Sequence, residues 1–245
     1  MYQVISLSGG KDSTAMLHMM LERGEQIDDV VFFDGGWEYP EMYEHLDLVE
    51  QKTGVKITRL KPEHGSFEWY FSQKPIVKRS KRFKGQIGKG LGFPSHKARW
   101  CTKVKVMTID AHLKDHKSDL MQCVGIAADE HKRLKQKPGY RYPLAEYGIT
   151  EAQCLAYCYN LGYTWGGLYE VHTRLSCWLC PMSSIKQVEY LYRKRPELWQ
   201  ELKEMEKRSC NYIAFGRYHG TAELERRFNA GGEQLRMELD YGERN

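Results

Sequence analysis

The amino-acid sequence predicts an α/β fold, an open and mostly parallel sheet with helices on both faces, followed by a helical C-terminal region. Through about the first 150 residues, short apolar runs alternate with segments of helical periodicity, which is the pattern of proteins built on a parallel sheet. Beyond Pro181, apolar residues recur three and four positions apart among glutamates and lysines, as in amphipathic helices. We expect helices at 187–194 and 197–208, separated by Pro196.

Length and cysteine content bound the organisation of the chain. The 245 residues are enough for one sizeable domain with a smaller appendage, and we predict an α/β domain at 1–165 and a helical region with a cysteine site at 166–245. No apolar stretch approaches the length of a membrane span, so we expect a cytoplasmic protein without a membrane partner. Seven cysteines in a reducing compartment indicate metal ligands, thiols or core residues rather than disulfides.

A basic insertion at about 69–109 interrupts the predicted α/β domain. It contains eleven lysines and arginines, from Lys74 to Lys105, and no acidic residue, although the whole chain has a net charge of only +5. Aromatic side chains are interleaved with these charges, a composition suited to stacking on bases while binding phosphates. The insertion therefore predicts a polyanionic partner, either a nucleic acid or a nucleotide over which it closes. The overlapping glycine-rich stretch 65–92 is predicted to be irregular until an anion orders it.

The chain begins with a strand that runs directly into a glycine turn and a helix. Val4–Leu7 form a short apolar run, Gly9-Gly10 allow a sharp turn, and 15–21 continue as a helix. Asp12 or Ser13 can cap this helix, whose N-terminal N–H groups and partial positive charge favour anions. The stretch therefore predicts a phosphate site, with further contacts from the side chains of Ser8, Lys11, Ser13 and Thr14.

This stretch lacks the spacing of a Walker loop, because Asp12 separates Lys11 from Ser13. It resembles, residue for residue, the S-G-G-x-D-S loop of the PP-loop ATP pyrophosphatases, which holds pyrophosphate while ATP is cut between its α and β phosphates. The resemblance implies ATP and Mg²⁺ as ligands, an adenine nucleotide α-hydrolase-like fold, and catalytic roles for Lys11, Asp12 and Ser13. It also implies a phosphate-binding set made of Ser8, Gly9, Gly10, Lys11, Asp12, Ser13 and Thr14.

The next strand and helix resemble a particular family within that superfamily. Val30–Phe33 predict a second strand, and a helix at Pro40–Thr53 precedes a third strand at 55–60. The segment 33–43 resembles the D-T-G-x-E-x-P-E-T-Y segment of the phosphoadenylylsulfate reductase family. Asp34 ends the second strand, and the carboxyl ends of parallel strands share one crevice. We therefore expect Asp34 to face the phosphate loop and to bind the nucleotide or a magnesium ion.

A second family segment follows a predicted helix at 106–115 and a fourth strand at 120–126. Glu130 and Arg133 match the glutamate and the second arginine of the family's G-I-R-x-x-E-S-x-R segment, whereas the first arginine is Ala127 here. Both matching residues lie just past the end of the strand. We therefore expect Glu130 and Arg133 in the nucleotide site, with Arg133 as a phosphate clamp.

The stretch 142–151, which ends at Glu151, resembles the family's Y-P-L-x-x-W-x-x-x-D/E passage and leads into a predicted helix at 150–161. Thr150 is a good N-cap residue, with Gln153 at the capping-box position. Cys154 and Cys158 lie four positions apart on this helix among apolar neighbours, and we expect them to be core residues rather than metal ligands.

A C-x-x-C-P turn at 177–181 is the second strong signal in the sequence. Two thiolates at this spacing can share a metal, although a redox dithiol or half of a zinc site has the same pattern. In iron–sulfur relatives of this superfamily, a cysteine in a basic upstream segment joins a later C-x-x-C, and Cys101 resembles it. The resemblance implies a 4Fe–4S cluster, with zinc as the alternative metal, on Cys101, Cys177, Cys180 and Cys210. For the fourth ligand, His172, Cys123 and an open position on the iron stay as alternatives to Cys210.

The intact loop and the cysteines together imply an ATP pyrophosphatase that adenylylates a substrate for sulfur transfer. Nucleic acid is the favoured acceptor, and a sulfur or electron donor protein would be a further partner. A phosphoadenylylsulfate reductase that releases sulfite is the alternative enzyme, but its E-C-G-I/L-H nucleophile motif is absent, since Cys210 is followed by Asn211 and Tyr212. A nucleic-acid-binding protein with a vestigial nucleotide site is the second alternative. The polar residues 231–245 are predicted to be poorly ordered.

Overall fold

The computed structural model describes residues 1–77, 85–215 and 218–230. The chain divides into two compact units. The first unit consists of 1–66 and 102–175, and the second of 67–101 and 176–245. Part of the basic insertion, 78–84, and the polar C-terminal residues 231–245 lie outside the described residues, so the expectations stated for them stay predictions.

The helices and strands follow one another in chain order. The N-terminal elements are β1 (Tyr2–Ser6), α1 (Lys11–Glu22), β2 (Asp29–Phe33), α2 (Pro40–Thr53) and β3 (Thr58–Leu60). The middle elements are α3 (Phe67–Ser72), β4 (Pro75–Val77), β5 (Ile87–Lys89), α4 (Trp100–His112) and β6 (Leu120–Val124). Next come β7 (Tyr140–Arg141), α5 (Pro143–Glu146) and α6 (Glu151–Asn160). Then come α7 (Ile185–Lys194), α8 (Pro196–Arg208), β8 (Ala214–Phe215) and β9 (Tyr218–His219), and a helix at 221–230 follows β9.

The first unit is built on a five-stranded parallel sheet with the order β3-β2-β1-β6-β7. Strand β1 lies at its centre, paired with β2 on one side and with all five residues of β6 on the other. Val4 and Ile5 of β1 are fully buried, as is typical of a parallel strand covered on both faces. On one face Val4 and Val31 pack against Leu113, which follows α4. The predicted α/β class is confirmed.

Capping and turn residues correctly predict the ends of several helices. Helix α2 has the predicted bounds because Pro40 starts it and Gly54, with a φ of 69°, ends it in the left-handed conformation. Helix α6 has the predicted capping box, in which Thr150 and Gln153 exchange hydrogen bonds. Helix α1 differs, because it begins at Lys11 and its N-cap residue is Gly10. The expected cap by Asp12 or Ser13 is wrong, since both residues lie inside the first turn.

The second unit contains more regular structure than the glycine-rich sequence suggests. Within 65–92, expected to be irregular, the structure contains helix α3 and the antiparallel strand pair β4–β5. Gly90 explains part of this order, because it has a φ of +73° and a Cβ there would lie 2.2 Å from the carbonyl oxygen of Phe71. The glycine allows the strand to pass close to α3 rather than loosening the chain.

The C-terminal part of the second unit confirms the two predicted helices. Helix α7 has a capping box between Ser184 and Gln187, and Pro196 starts α8. Val188, Leu191 and Leu202 are buried on their inner faces. In the part of the chain that the structure describes, no helix is both long and apolar enough to cross a membrane.

Candidate functional site

The order of strands in the first unit places a crevice at the carboxyl end of β1. The chain leaves β1 towards β2 on one side and reaches β6 on the other, so the sheet reverses its winding between β1 and β6. Open α/β sheets bind ligands at such a switch point, beyond the carboxyl ends of the strands. Residues 7–10 connect β1 to α1 at this position, and Gly125 directly follows β6. The predicted phosphate loop therefore occupies the position where the fold provides a binding crevice.

Internal hydrogen bonds hold the loop in shape. Gly9 has a φ of +76°, a conformation that other residues rarely adopt. The Oγ of Ser13 accepts the backbone N–H of Ser8 at 3.1 Å and donates to the carbonyl oxygen of Gly10 at 3.1 Å. The two serine hydroxyls are 3.0 Å apart. Ser8 and Ser13, which the sequence assigned to the phosphate, thus also brace the loop itself.

Lys11 is a buried cation at the first position of α1. It is 5% exposed, and its Nζ lies 2.7 Å from Oδ1 of Asp12 and 3.0 Å from Oε1 of Glu151. Burial lowers the pKa of Lys11, but the bonds to both carboxylates outweigh it, so that pKa is raised above its usual value. Burial raises the pKa of Asp12, against the opposing effect of Lys11. Lys11 is therefore a permanent positive charge at the end of the loop.

Two aromatic residues far along the chain support the loop from behind. Trp165 donates its Nε1 hydrogen to the carbonyl oxygen of Gly9 at 2.8 Å, and the hydroxyl of Tyr169 accepts the backbone N–H of Lys11 at 2.7 Å. Both belong to a 3-10 turn, Trp165–Glu170, whose first three residues have positive φ values of 49°, 57° and 82°. Two of those residues are glycines, which explains how this unusual backbone is tolerated.

Gly125 allows β6 to approach the start of α1 closely. A Cβ at this position would lie 2.8 Å from the backbone nitrogen of Ser13 and 2.9 Å from its Cα. Real Cβ atoms do not approach backbone atoms so closely, so any larger residue must displace the helix or the strand end. Gly125 thus belongs to the site although its role is purely steric.

A cavity of about 480 Å³ lies beside the loop within the first unit. Its size is within the range of small-molecule sites. Charged groups from several elements line it, together with Tyr169, His172 and a small apolar wall of Ala152 and Leu155. The charged residues are Lys11, Glu130, Glu151 and Arg174. Among them, Glu130 and Lys11 were predicted from the sequence.

The remaining predicted nucleotide residues occupy different surroundings. Asp34 is buried, and its Oδ1 accepts the N–H of Gly36 and the hydroxyl of Tyr43, both at 2.8 Å. Thr14 is fully buried, and its hydroxyl lies 2.9 Å from Nε2 of His45, in the core behind the loop. Both side chains therefore stabilise the surroundings of the loop, and their predicted contact with a nucleotide stays a prediction.

Glu130 and Arg133 are brought together as an ion pair. The Nη1 of Arg133 bonds Oε1 of Glu130, while Oε2 of Glu130 accepts the N–H of Ala127 at 3.2 Å. Arg133 is not one of the described residues that line the cavity, whereas Glu130 is. The phosphate clamp expected at Arg133 thus stays a prediction, and in this structure that arginine neutralises a carboxylate.

The cysteines fall into two groups. Cys154 and Cys158 are fully buried, and Sγ of Cys158 donates to the carbonyl oxygen of Lys11 at 3.4 Å, which agrees with their expected role in the core. The predicted metal ligands, Cys101, Cys177, Cys180 and Cys210, all belong to the second unit and form no disulfide. Within the described residues, no group of three or more His, Cys, Asp or Glu side chains is arranged to hold a metal ion. The cluster and its zinc alternative therefore stay predictions.

Comparison with known proteins identifies the family of this chain. A family model described as the phosphoadenosine phosphosulfate reductase domain matches residues 3–143. The chain belongs to this family. An uncharacterized nin region protein of Escherichia phage lambda is 35% identical over 166 residues, which cover 62% of this chain and 57% of that protein. An uncharacterized protein of Methanocaldococcus jannaschii is 26% identical over 210 residues, or 81% of this chain and 40% of that protein. The chain thus spans about half the length of these relatives.

The matched range contains the loop and the next two family segments, and it ends inside the third segment, which starts at Tyr142. Membership is thereby confirmed as predicted. The sequence did not assign to the nucleotide site several residues that the structure places there, among them Gly125, Glu151, Trp165, Tyr169 and Arg174. A Trp-Gly-Gly turn after α6 was the available signal, because consecutive glycines indicate an unusual backbone. Its partner, the loop, is visible only in three dimensions.

Proposed function

We propose that this member of the family is an ATP pyrophosphatase that binds ATP on the loop 8–14 and adenylylates a substrate for sulfur transfer. One observation carries the proposal. The intact Ser-Gly-Gly-Lys-Asp-Ser loop lies at the carboxyl end of the central strand and presents a buried, permanently charged Lys11 to a cavity. A cation at a helix N-terminus beside a cavity suits an anionic ligand. The resemblance of the loop to that of the PP-loop ATP pyrophosphatases favours pyrophosphate as that anion.

Lys11 has a defined task in this reaction. Cleavage between the α and β phosphates collects negative charge on the departing pyrophosphate, and a positioned ammonium stabilises that charge. In the structure Lys11 bonds the carboxylate of Glu151, whose side chain is 43% exposed. A pyrophosphate oxygen would replace this exposed carboxylate on Lys11, while the less exposed Asp12 stays bonded and keeps the ammonium in place.

The magnesium ion belongs to the proposal as a companion of the nucleotide. Since the described residues contain no ready cluster of three ligating side chains, we expect Mg²⁺ to arrive bound to the phosphates of ATP, as is common for this ion. When bound, it neutralises part of the phosphate charge. Nucleic acid is the acceptor we favour, because Lys89, Lys97 and Lys103 of the basic insertion are exposed.

The test is release of AMP and pyrophosphate from ATP in the presence of Mg²⁺, sulfide and a total nucleic-acid fraction. We compare Lys11→Met, which keeps the aliphatic stem, with Lys56→Met, which alters an exposed lysine outside the site. We expect the first variant to lose at least about 100-fold in rate, because one preorganised electrostatic contact is worth that much. Lys56→Met should keep the wild-type rate. Absence of AMP release with every acceptor, or equal rates for both variants, would refute the proposal.

Sulfonucleotide reduction is the second candidate, and the matching family description favours it. Against it, the loop is the intact form used with ATP, and Cys210, although exposed, is followed by Asn211 rather than by the reductase motif. The same preparation can be offered phosphoadenylylsulfate with a thiol reductant. Sulfite release without AMP formation from ATP would establish the reductase instead.

A further inference from the structure

Among the described residues that line the cavity beside the loop, one cation has no ion-pair partner. Lys11 is bonded to both Asp12 and Glu151. Arg174, by contrast, is exposed and forms no ion pair or hydrogen bond with any residue in 1–77, 85–215 or 218–230. An uncommitted guanidinium on the wall of a cavity presents five N–H donors to whatever enters it.

The arginine expected to bind phosphate is already engaged. Arg133 bonds Glu130, and it is not one of the described residues that line the cavity. Moving it onto a ligand would break that ion pair and leave Glu130 without its charge partner. Arg174 carries no such cost, because its side chain has no described partner to leave.

Arg174 lies close in sequence to a turn that is hydrogen-bonded to the loop 8–14. It follows the turn Trp165–Glu170 in the chain, and that turn is bonded to the loop through Trp165 and Tyr169. Arg174 and Lys11 line the same cavity of about 480 Å³. An anion held between them would contact a compact ammonium and a planar guanidinium, and the second can bind two phosphate oxygens at once.

We propose that Arg174 is the residue that binds a phosphate group of the nucleotide in this cavity, the role that the family pattern suggests for Arg133. The inference rests on the proposed function for the identity of the ligand, but it concerns binding and not turnover. It makes Arg174 a specificity-determining residue for anionic nucleotides. Binding of the uncharged nucleoside should not depend on it.

The test is calorimetric titration of the full-length protein with ATP and, separately, with adenosine. We expect Arg174→Ala to weaken ATP binding about 10- to 100-fold, since hydrogen bonds to charged groups have this strength, and to leave adenosine binding unchanged. Arg174→Lys should fall between Arg174→Ala and wild type, because it keeps the charge and loses the bidentate geometry. The comparison variant, Arg133→Ala, should weaken ATP binding less than Arg174→Ala does, because it only removes the charge partner of Glu130 on the cavity wall.

Three results would overturn the inference: an unchanged ATP affinity in Arg174→Ala, an equal loss in Arg133→Ala, or an equal loss for adenosine. Thermal melts identify any variant that weakens binding by unfolding, and Arg174→Lys then supplies the comparison. If wild type binds ATP but releases no AMP, the proposed reaction fails while the assignment of Arg174 stands or falls on the titrations. If wild type binds no ATP at all, both are overturned.

Discussion

The substitution Gly125→Ala tests whether the close approach of β6 to α1 shapes the loop. The added Cβ would lie 2.8 and 2.9 Å from the backbone nitrogen and Cα of Ser13, and 3.0 Å from the carbonyl carbon of Asp12. All three are backbone atoms, so a side-chain rotation cannot relieve the overlap. Ordinary contacts begin near 3.4 Å, so the start of α1 must move by about half an ångström.

The magnitude follows from two opposing effects. Overpacking of this kind lowers the free energy of unfolding by about 1–3 kcal/mol. The alanine variant has a less flexible unfolded chain than the glycine protein, which raises the free energy of unfolding by about 0.4–1 kcal/mol. The difference is centred on about 1.3 kcal/mol of lost stability, which corresponds to a fall in Tm of roughly 3–5 °C for a chain of this size. Because the displaced atoms belong to Asp12 and Ser13, we also expect about a tenfold weaker affinity for ATP.

Differential scanning calorimetry and ATP titration measure the two effects. The control is Gly54→Ala, at a position with a φ of +69° where a Cβ would meet nothing within 4 Å. It should cost about 1 kcal/mol through backbone strain alone and leave ATP affinity unchanged. If Gly125→Ala melts and binds ATP like wild type, the steric reasoning is refuted, and the loop does not depend on the approach of β6.

Three further predictions concern other parts of the molecule. Burial lowers the pKa of His45 to about 3, whereas the unfolded ring protonates near pH 6.5, so the free energy of unfolding should fall by up to about 1.4 kcal/mol per pH unit as the pH falls between these values. Urea unfolding at several pH values should show a smaller slope for His45→Gln, and an identical slope would contradict the assignment. Tyr169→Phe removes the hydroxyl that accepts the backbone N–H of Lys11, so it should lower the free energy of unfolding by about 1–3 kcal/mol. The control, Tyr159→Phe, alters a half-exposed tyrosine and should cause no change. Equal urea midpoints for the two variants would show that Tyr169 does not support the loop. Anaerobically purified protein should contain about four irons per chain and absorb visible light, as a 4Fe–4S cluster does. One zinc per chain would favour a zinc site instead. Protein without either metal would refute the metal prediction for Cys101, Cys177, Cys180 and Cys210.

The sequence by itself determined the class of fold and the location of the loop. Helix α2 illustrates why: Pro40 and Gly54 act on their own backbone, so the helix begins and ends where they stand. The capping box of Thr150 and Gln153 is equally local. The loop could be recognised because its residues are contiguous and follow an apolar strand.

Only the tertiary structure decided which side chains surround that loop. Trp165 and Tyr169 bond it from 156 and 158 positions away, and Glu151 reaches Lys11 across 140 positions. Arg133 has the right place in the family pattern, yet it pairs with Glu130, while Arg174 lines the cavity. The spacing of apolar residues and the positions of turn residues in a sequence indicate the conformation of the backbone around them. The partners of a buried or charged group depend on which distant segments the packed sheet brings within hydrogen-bonding distance.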